Sequence, residues 1–152
     1  MATLLEKAIA LAVEGHTGQV DKANEPYILH PLRLMMRVRG ENARIVAVLH
    51  DLVEDTETTL DDLVSEGFSP EIIAALDYLT HRETDDYESY ILRIKGNPLA
   101  RLVKLRDLED NMDIRRLEHR PGERDWLRLK KYRLAWSVLN DLPERGLALY
   151  ES

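Results

Sequence analysis

Cysteine is absent from the 152 residues, which excludes a disulfide framework and a thiolate metal site. Any metal must be held by imidazole and carboxylate groups, a donor set suited to manganese, iron or magnesium. Basic residues are in the minority, 21 Lys and Arg against 28 Asp and Glu, for a formal net charge of -7. Broad contact with nucleic acid, which rests on excess positive charge, is therefore not expected. An anionic substrate would need a local cation to overcome this field, and a bound metal would supply one. Long apolar runs are missing too. No uninterrupted stretch can span a membrane. At the N-terminus Glu6 and Lys7 interrupt Leu4, Leu5, Ala8, Leu11 and Ala12, which recur at helical spacing and not as a signal-peptide core. The expectation is a cytoplasmic protein with neither nucleic-acid nor membrane partner, folded as one domain over residues 1–152.

What the chain does contain is helix punctuation. Asn24 to Pro26, Gly40, Thr58-Thr59, Gly67 to Pro70, Gly96 to Pro98, Pro121-Gly122 and Pro143 break it into segments whose apolar residues mostly recur with helical period. Ser69 can cap a helix over 72–79, with Pro70 in the first turn and Glu71 complementing the positive helix start. Thr59 with Asp62 reads as a capping box for 60–66. Further helices are expected over 32–39, 87–95, 99–112 and 123–139. The last carries Trp126, Leu129, Tyr132 and Trp136 on one side, a stripe expected in or near the core. The fold class is all-α, a compact multi-helix bundle.

Six positions carry chemistry. Residues 43–53, ARIVAVLHDLV, are apolar nearly all round, as in a helix buried on most faces, and its C-terminal end presents His50 and Asp51 with Glu54 and Asp55 just beyond. On a helix Glu54 lies one turn from His50 and Asp55 one turn from Asp51, so the four share a patch. Acids at a helix C-terminus are unfavourable without a positive partner. Alone, these acids are equally consistent with a helix emerging into a solvated loop. His30 precedes Pro31, which is expected to hold it outside the helix that Pro31 opens; a single histidine there commonly caps or packs. Asp107 stands in line with Leu99 and Val103 at steps of four, so it needs a partner, and Asn111 extends that line.

The ordered set His30, His50-Asp51 and Asp107 resembles the HD superfamily of metal-dependent phosphohydrolases. The strings HTGQVDKANEPYILHPL, VAVLHDLVEDT, LDYLT and LARLVKLRDLEDNM resemble the hydrolase domain of Rel/Spo-type alarmone enzymes and the small alarmone hydrolases, over about residues 3–114. The resemblance implies an HD-domain bundle, a manganese or other divalent cofactor, and removal of pyrophosphate from the 3′ position of guanosine tetra- or pentaphosphate. It implies metal ligation by His30, His50, Asp51 and Asp107, management of water by Glu54 and Asp55, and substrate contacts from Lys22 and Asn111. His16 and Gln19 fall in the matching strings as scaffold, Lys104 is expected at the solvated surface, and His81 and His119 in exposed loops.

The chain departs from that family on the base side of the expected site. Asp21 stands where arginine is common, Asp110 replaces a histidine, and Asp113 and Ile114 replace an arginine and a threonine. Acids there should weaken the grip on a highly charged nucleotide. A different nucleotide substrate, or a nucleotide-sensing module without turnover, therefore stays open beside alarmone hydrolysis. The segment after Ile114 carries no motif beyond helical packing.

Overall fold

A computed structural model describes residues 1–143 and is all-α. The helices are α1 (Leu4–His16), α2 (Leu29–Met36), α3 (Glu41–Leu49), α4 (Leu52–Asp55), α5 (Leu60–Ser65), α6 (Pro70–Leu79), α7 (Tyr87–Ile94), α8 (Pro98–Asn111) and α9 (Glu123–Leu139), with a 3₁₀ turn at Ile114–Arg116. No described helix is long and apolar enough to cross a membrane.

Local rules account for most starts. Thr3, Thr59, Ser69, Asp86 and Asn97 each accept a backbone N–H of the first turn of the following helix, and Thr59 completes its capping box with Asp62. Each such cap stabilises its helix by about 1 kcal/mol.

The centre is α3, against which α1, α2, α6 and α8 pack. Ala43 and the run Ile45, Val46, Ala47, Val48 and Leu49 are buried. Burial of each large aliphatic side chain contributes about 1.5–3 kcal/mol, so the end of this helix is among the best-anchored points in the molecule. His50 is attached there.

Three expectations need correction. The stretch 43–53 is not one helix: the hydrogen-bond pattern breaks at His50-Asp51, where Asp51 has φ -102° and ψ -1°, and resumes in the short α4. Asp55 N–H still bonds Asp51 C=O at 2.9 Å, so the acid patch survives the break. His30 does not precede its helix but lies within the first turn of α2, where Pro31 costs no hydrogen bond because first-turn N–H groups need none. Finally, Trp126 is half exposed, and α9 buries only Ala135 and Leu139 fully. Leu129 and Tyr132 line a cleft, while Tyr132 and Trp136 also pack against the core as expected.

One glycine sets a close approach. A Cβ on Gly15 of α1 would run into Leu52 of α4, so the small residue lets α4, with Glu54 and Asp55, settle against α1.

Candidate metal centre

Two histidines and two aspartates from three parts of the chain converge beside α3. His30 Nε2 lies 2.9 Å from Asp107 Oδ1 and 3.8 Å from Asp51 Oδ2. His50 Nε2 lies 2.9 Å from Asp51 Oδ2 and 3.6 Å from Asp107 Oδ1. His30, His50 and Asp107 are buried, with donor atoms within 4.8 Å of one another; Asp51 sits at the rim and accepts the Tyr27 hydroxyl.

The outer ring nitrogens are already engaged. His50 Nδ1 faces Ala47 C=O at 2.7 Å and His30 Nδ1 faces Asp110 at 2.7 Å. Both acceptors require N–H at Nδ1, which leaves each neutral ring with a lone pair on Nε2. Those lone pairs point at carboxylate oxygens, an arrangement that needs a cation in the middle: protons on the imidazoles, or a metal ion. His50 Nε2 is buried without a well-formed hydrogen bond. The donor set fits a divalent ion.

Without metal the same physics acts on protons. Burial lowers the His50 pKa, but Asp51 and Asp107 outweigh it and hold the ring well above its ordinary value. Burial alone would raise Asp107, yet Lys104 and the two histidines hold it well below. Lys104 is not at the solvated surface: its side chain is 13% exposed and its Nζ donates to Asp107 Oδ2 at 2.8 Å. Asn111 Nδ2 donates to Asp107 Oδ1 at 2.9 Å. Asp107 thus finds a partner for every demand that its apolar stripe imposed.

Glu54 and Asp55 project from α4 at the edge of this cluster. Desolvation raises the Glu54 pKa, tempered by the His81 backbone N–H that donates to Oε1 at 2.6 Å. Asp55 is pushed up to about 6, first by desolvation and then by the charges of Asp51 and Glu54. Gln19, bonded to His16, donates to the Asp55 carbonyl at 3.2 Å. His81 itself is half buried, its Nε2 on Asp85 C=O, while His119 is exposed.

A cleft of about 360 Å³ adjoins the centre, with Tyr27 and Asn111 on its wall. Lys22, Asp21, Asp113 and Ile114 line it. Asp110 does not. It is buried, 3% exposed, and bonded to His30, Arg33 and Arg116, so its expected base-side place is corrected.

The cleft acids are also less free than their charge suggests. Asp21 accepts the N–H groups of Ala23 and Glu25, closing its own turn. Asp113 is held by Arg115, which keeps its pKa at about 2, and Asp125 accepts Gly122 N–H and pairs with Arg128. Arg116 and Arg128 meanwhile bring positive charge to the same walls. Local sequence rules missed both, because they lie in the segment without motifs. The spacing of Arg33 to His30 and of Asp110 to Asp107, three residues each, was a signal that could have been read.

No family model matches the chain. A guanosine-3′,5′-bis(diphosphate) 3′-pyrophosphohydrolase of Aquifex aeolicus is 30% identical over 120 residues, 71% of this chain and 17% of that protein. A GTP pyrophosphokinase of Myxococcus xanthus is 29% identical over 139 residues, 80% of this chain and 18% of that protein. The chain thus spans less than a fifth of the length of these curated relatives. Among solved structures, a metazoan ortholog of SpoT, described as hydrolysing ppGpp, shares the fold with a TM-score of 0.71 at 20% identity, over 93% of this chain and 86% of that one. In motif order and aligned sequence this chain is similar to the Rel/Spo-type HD hydrolase domain, and it shares that fold.

Proposed function

We propose that the chain is a metal-dependent pyrophosphohydrolase acting on a guanosine tetraphosphate-type nucleotide at its 3′-diphosphate. The observation that carries the reading is the meeting of His30 and His50 Nε2 with the Asp51 and Asp107 carboxylates, at a point where Glu54, Asp55 and a cation-bearing cleft also arrive. His30, His50, Asp51 and Asp107 would hold the ion, with manganese the first candidate. A divalent cation there supplies Lewis-acid polarisation of a phosphoryl oxygen and acidifies water.

The residues divide the remaining work. Lys104 and Asn111 hold Asp107 in one orientation, and Tyr27 does so for Asp51. Asp55, with a pKa of about 6, accepts a proton near neutrality more readily than an ordinary aspartate, and Glu54 stands beside it. As water adds to the phosphorus and its proton passes to Asp55 or Glu54, the P–O bond to the ribose 3′ oxygen breaks; the proton is returned from that carboxyl to the leaving oxygen, so that pyrophosphate and the 3′ hydroxyl are the products and the carboxylate is restored. Lys22, Arg116 and Arg128 offer charge to the phosphates, while the exposed Asn111 keeps its amide oxygen for the ribose.

The deciding experiment is metal analysis of the purified protein, followed by assay of guanosine tetraphosphate beside a nucleotide panel, with phosphate and pyrophosphate counted separately. Manganese-dependent pyrophosphate release from the 3′ position is expected. Metal bound with the alarmone untouched and another nucleotide cleaved would reassign the substrate; binding without any product would reduce the site to a sensor.

A further inference from the structure

His30 is bracketed by two carboxylates of α8 three residues apart. Asp107 Oδ1 faces Nε2 at 2.9 Å, and Asp110 Oδ2 faces Nδ1 at 2.7 Å. Asp110 is 3% exposed and His30 4%. A buried carboxylate is tolerated only with charge and hydrogen-bond compensation, and here it is supplied from two directions. Arg33, one turn after His30 on α2, grips Asp110 with Nε to Oδ1 at 2.9 Å and Nη2 to Oδ2 at 3.0 Å. Arg116, beyond the end of α8, reaches the Asp110 carbonyl at 2.8 Å and Oδ2 at 3.3 Å.

We propose that Asp110 is the positioning residue for the metal ligand His30: it holds the proton on Nδ1, fixes the ring's rotation, and so commits Nε2 to the ion. The assignment rests on the metal reading above. A carboxylate behind a ligating imidazole orients the ring and raises its basicity, and loss of such a partner typically weakens metal binding by about 10- to 100-fold. The two arginines are what allow an acid to occupy this buried place, and Arg116 also lines the cleft.

The test is Mn²⁺ affinity by titration calorimetry on the wild-type chain and the variants Asp110→Ala, Asp110→Asn and Arg33→Met, with folding of each checked by circular dichroism. Asp110→Ala should bind Mn²⁺ about 10- to 100-fold more weakly. Asp110→Asn should recover part of the loss, because its amide oxygen still accepts from Nδ1. Arg33→Met breaks the ion pair while sparing the imidazole contact, and should stay within about threefold of wild type. Wild-type affinity in Asp110→Ala, or an equal loss in Arg33→Met, would overturn the assignment in favour of a plain structural ion pair. No metal on the wild-type chain would overturn the metal reading and this one together. Should Asp110→Ala not fold, nitrogen-detected NMR of the Zn²⁺-loaded wild-type protein decides: His30 with a protonated Nδ1 and a ligated Nε2 is expected, and the reverse overturns the proposal.

Discussion

Around His30, His50 and Asp107 the charges are buried and each is tied to a partner on another part of the fold. Around Lys22, Arg116 and Arg128 they lie along an open cleft, partly shared with Asp113 and Asp125. The first region has little latitude, since removing one member of a buried set strands the others. The second can be retuned, because a half-solvated charge costs little to move or replace. The departures from the alarmone family separate along the same line. Asp21, Asp113 and Ile114 lie in the cleft, and the one buried departure, Asp110, arrives with Arg33 and Arg116 as partners.

Removing a buried acid should break this contrast most visibly. Asp107→Ala strands the buried Lys104 and takes one of two carboxylates from each histidine, and is expected to abolish bound metal and turnover while costing about 3–5 kcal/mol in the metal-free protein. Urea unfolding with metal analysis checks this; retained metal would mean that the centre is more redundant than its contacts indicate.

Next in size is Gly15→Ala, which tests whether Glu54 and Asp55 are positioned by packing as strictly as the ligands. The added methyl meets Leu52 and should cost about 1–3 kcal/mol. Turnover should fall with metal affinity nearly unchanged, read from kcat and calorimetry on the same preparation. Loss of metal instead would show that α4 and the ligands move as one body.

Cleft cations should have milder, separable effects. Arg116→Met and Arg128→Met are each expected to raise KM about tenfold, near 1.4 kcal/mol, with bound metal retained. Steady-state kinetics at two ionic strengths would sharpen the point, because an exposed contact weakens with salt.

The smallest effect concerns Asp55. Its folded pKa of about 6 lies above its unfolded value of 3.8, so the ionised form is disfavoured by folding. The folded state then holds more protons than the unfolded one between about pH 4 and 6, and stability contributed at this site falls as pH rises through that window. The penalty is complete above the folded pKa and absent below the unfolded one. Metal-free Asp55→Asn should therefore melt about 3 °C higher than wild type at pH 7.5, after discounting for solvent exposure, with the gap closing toward pH 4. Thermal melts at several pH values measure it, and a gap independent of pH would remove Asp55 as the titrating group.

Much of this molecule was legible without coordinates. Caps at Thr59 and Ser69, the apolar run before His50, and the stepwise line of Leu99, Val103 and Asp107 follow from rules that act within a turn or two. The stripe on α9 held at Trp136 and Tyr132 but misled at Trp126, because periodicity says that these residues share a side but not whether each meets core, cleft or water. Pro31 misled differently: its bias against helix at His30 is small beside the packing that seats α2 on α3.

By itself the sequence determined the helices, the absence of thiolate chemistry and the ordered His-His-Asp-Asp set, because capping, periodicity and donor type are properties of short segments. Only the tertiary structure decided that Lys104 is buried on Asp107, that Asp110 backs His30 across 80 residues, and that Arg116 and Arg128 line the cleft. The free energy of a charge depends on what surrounds it, and the burial around even a local pair such as Lys104 and Asp107 is supplied by distant parts of the chain.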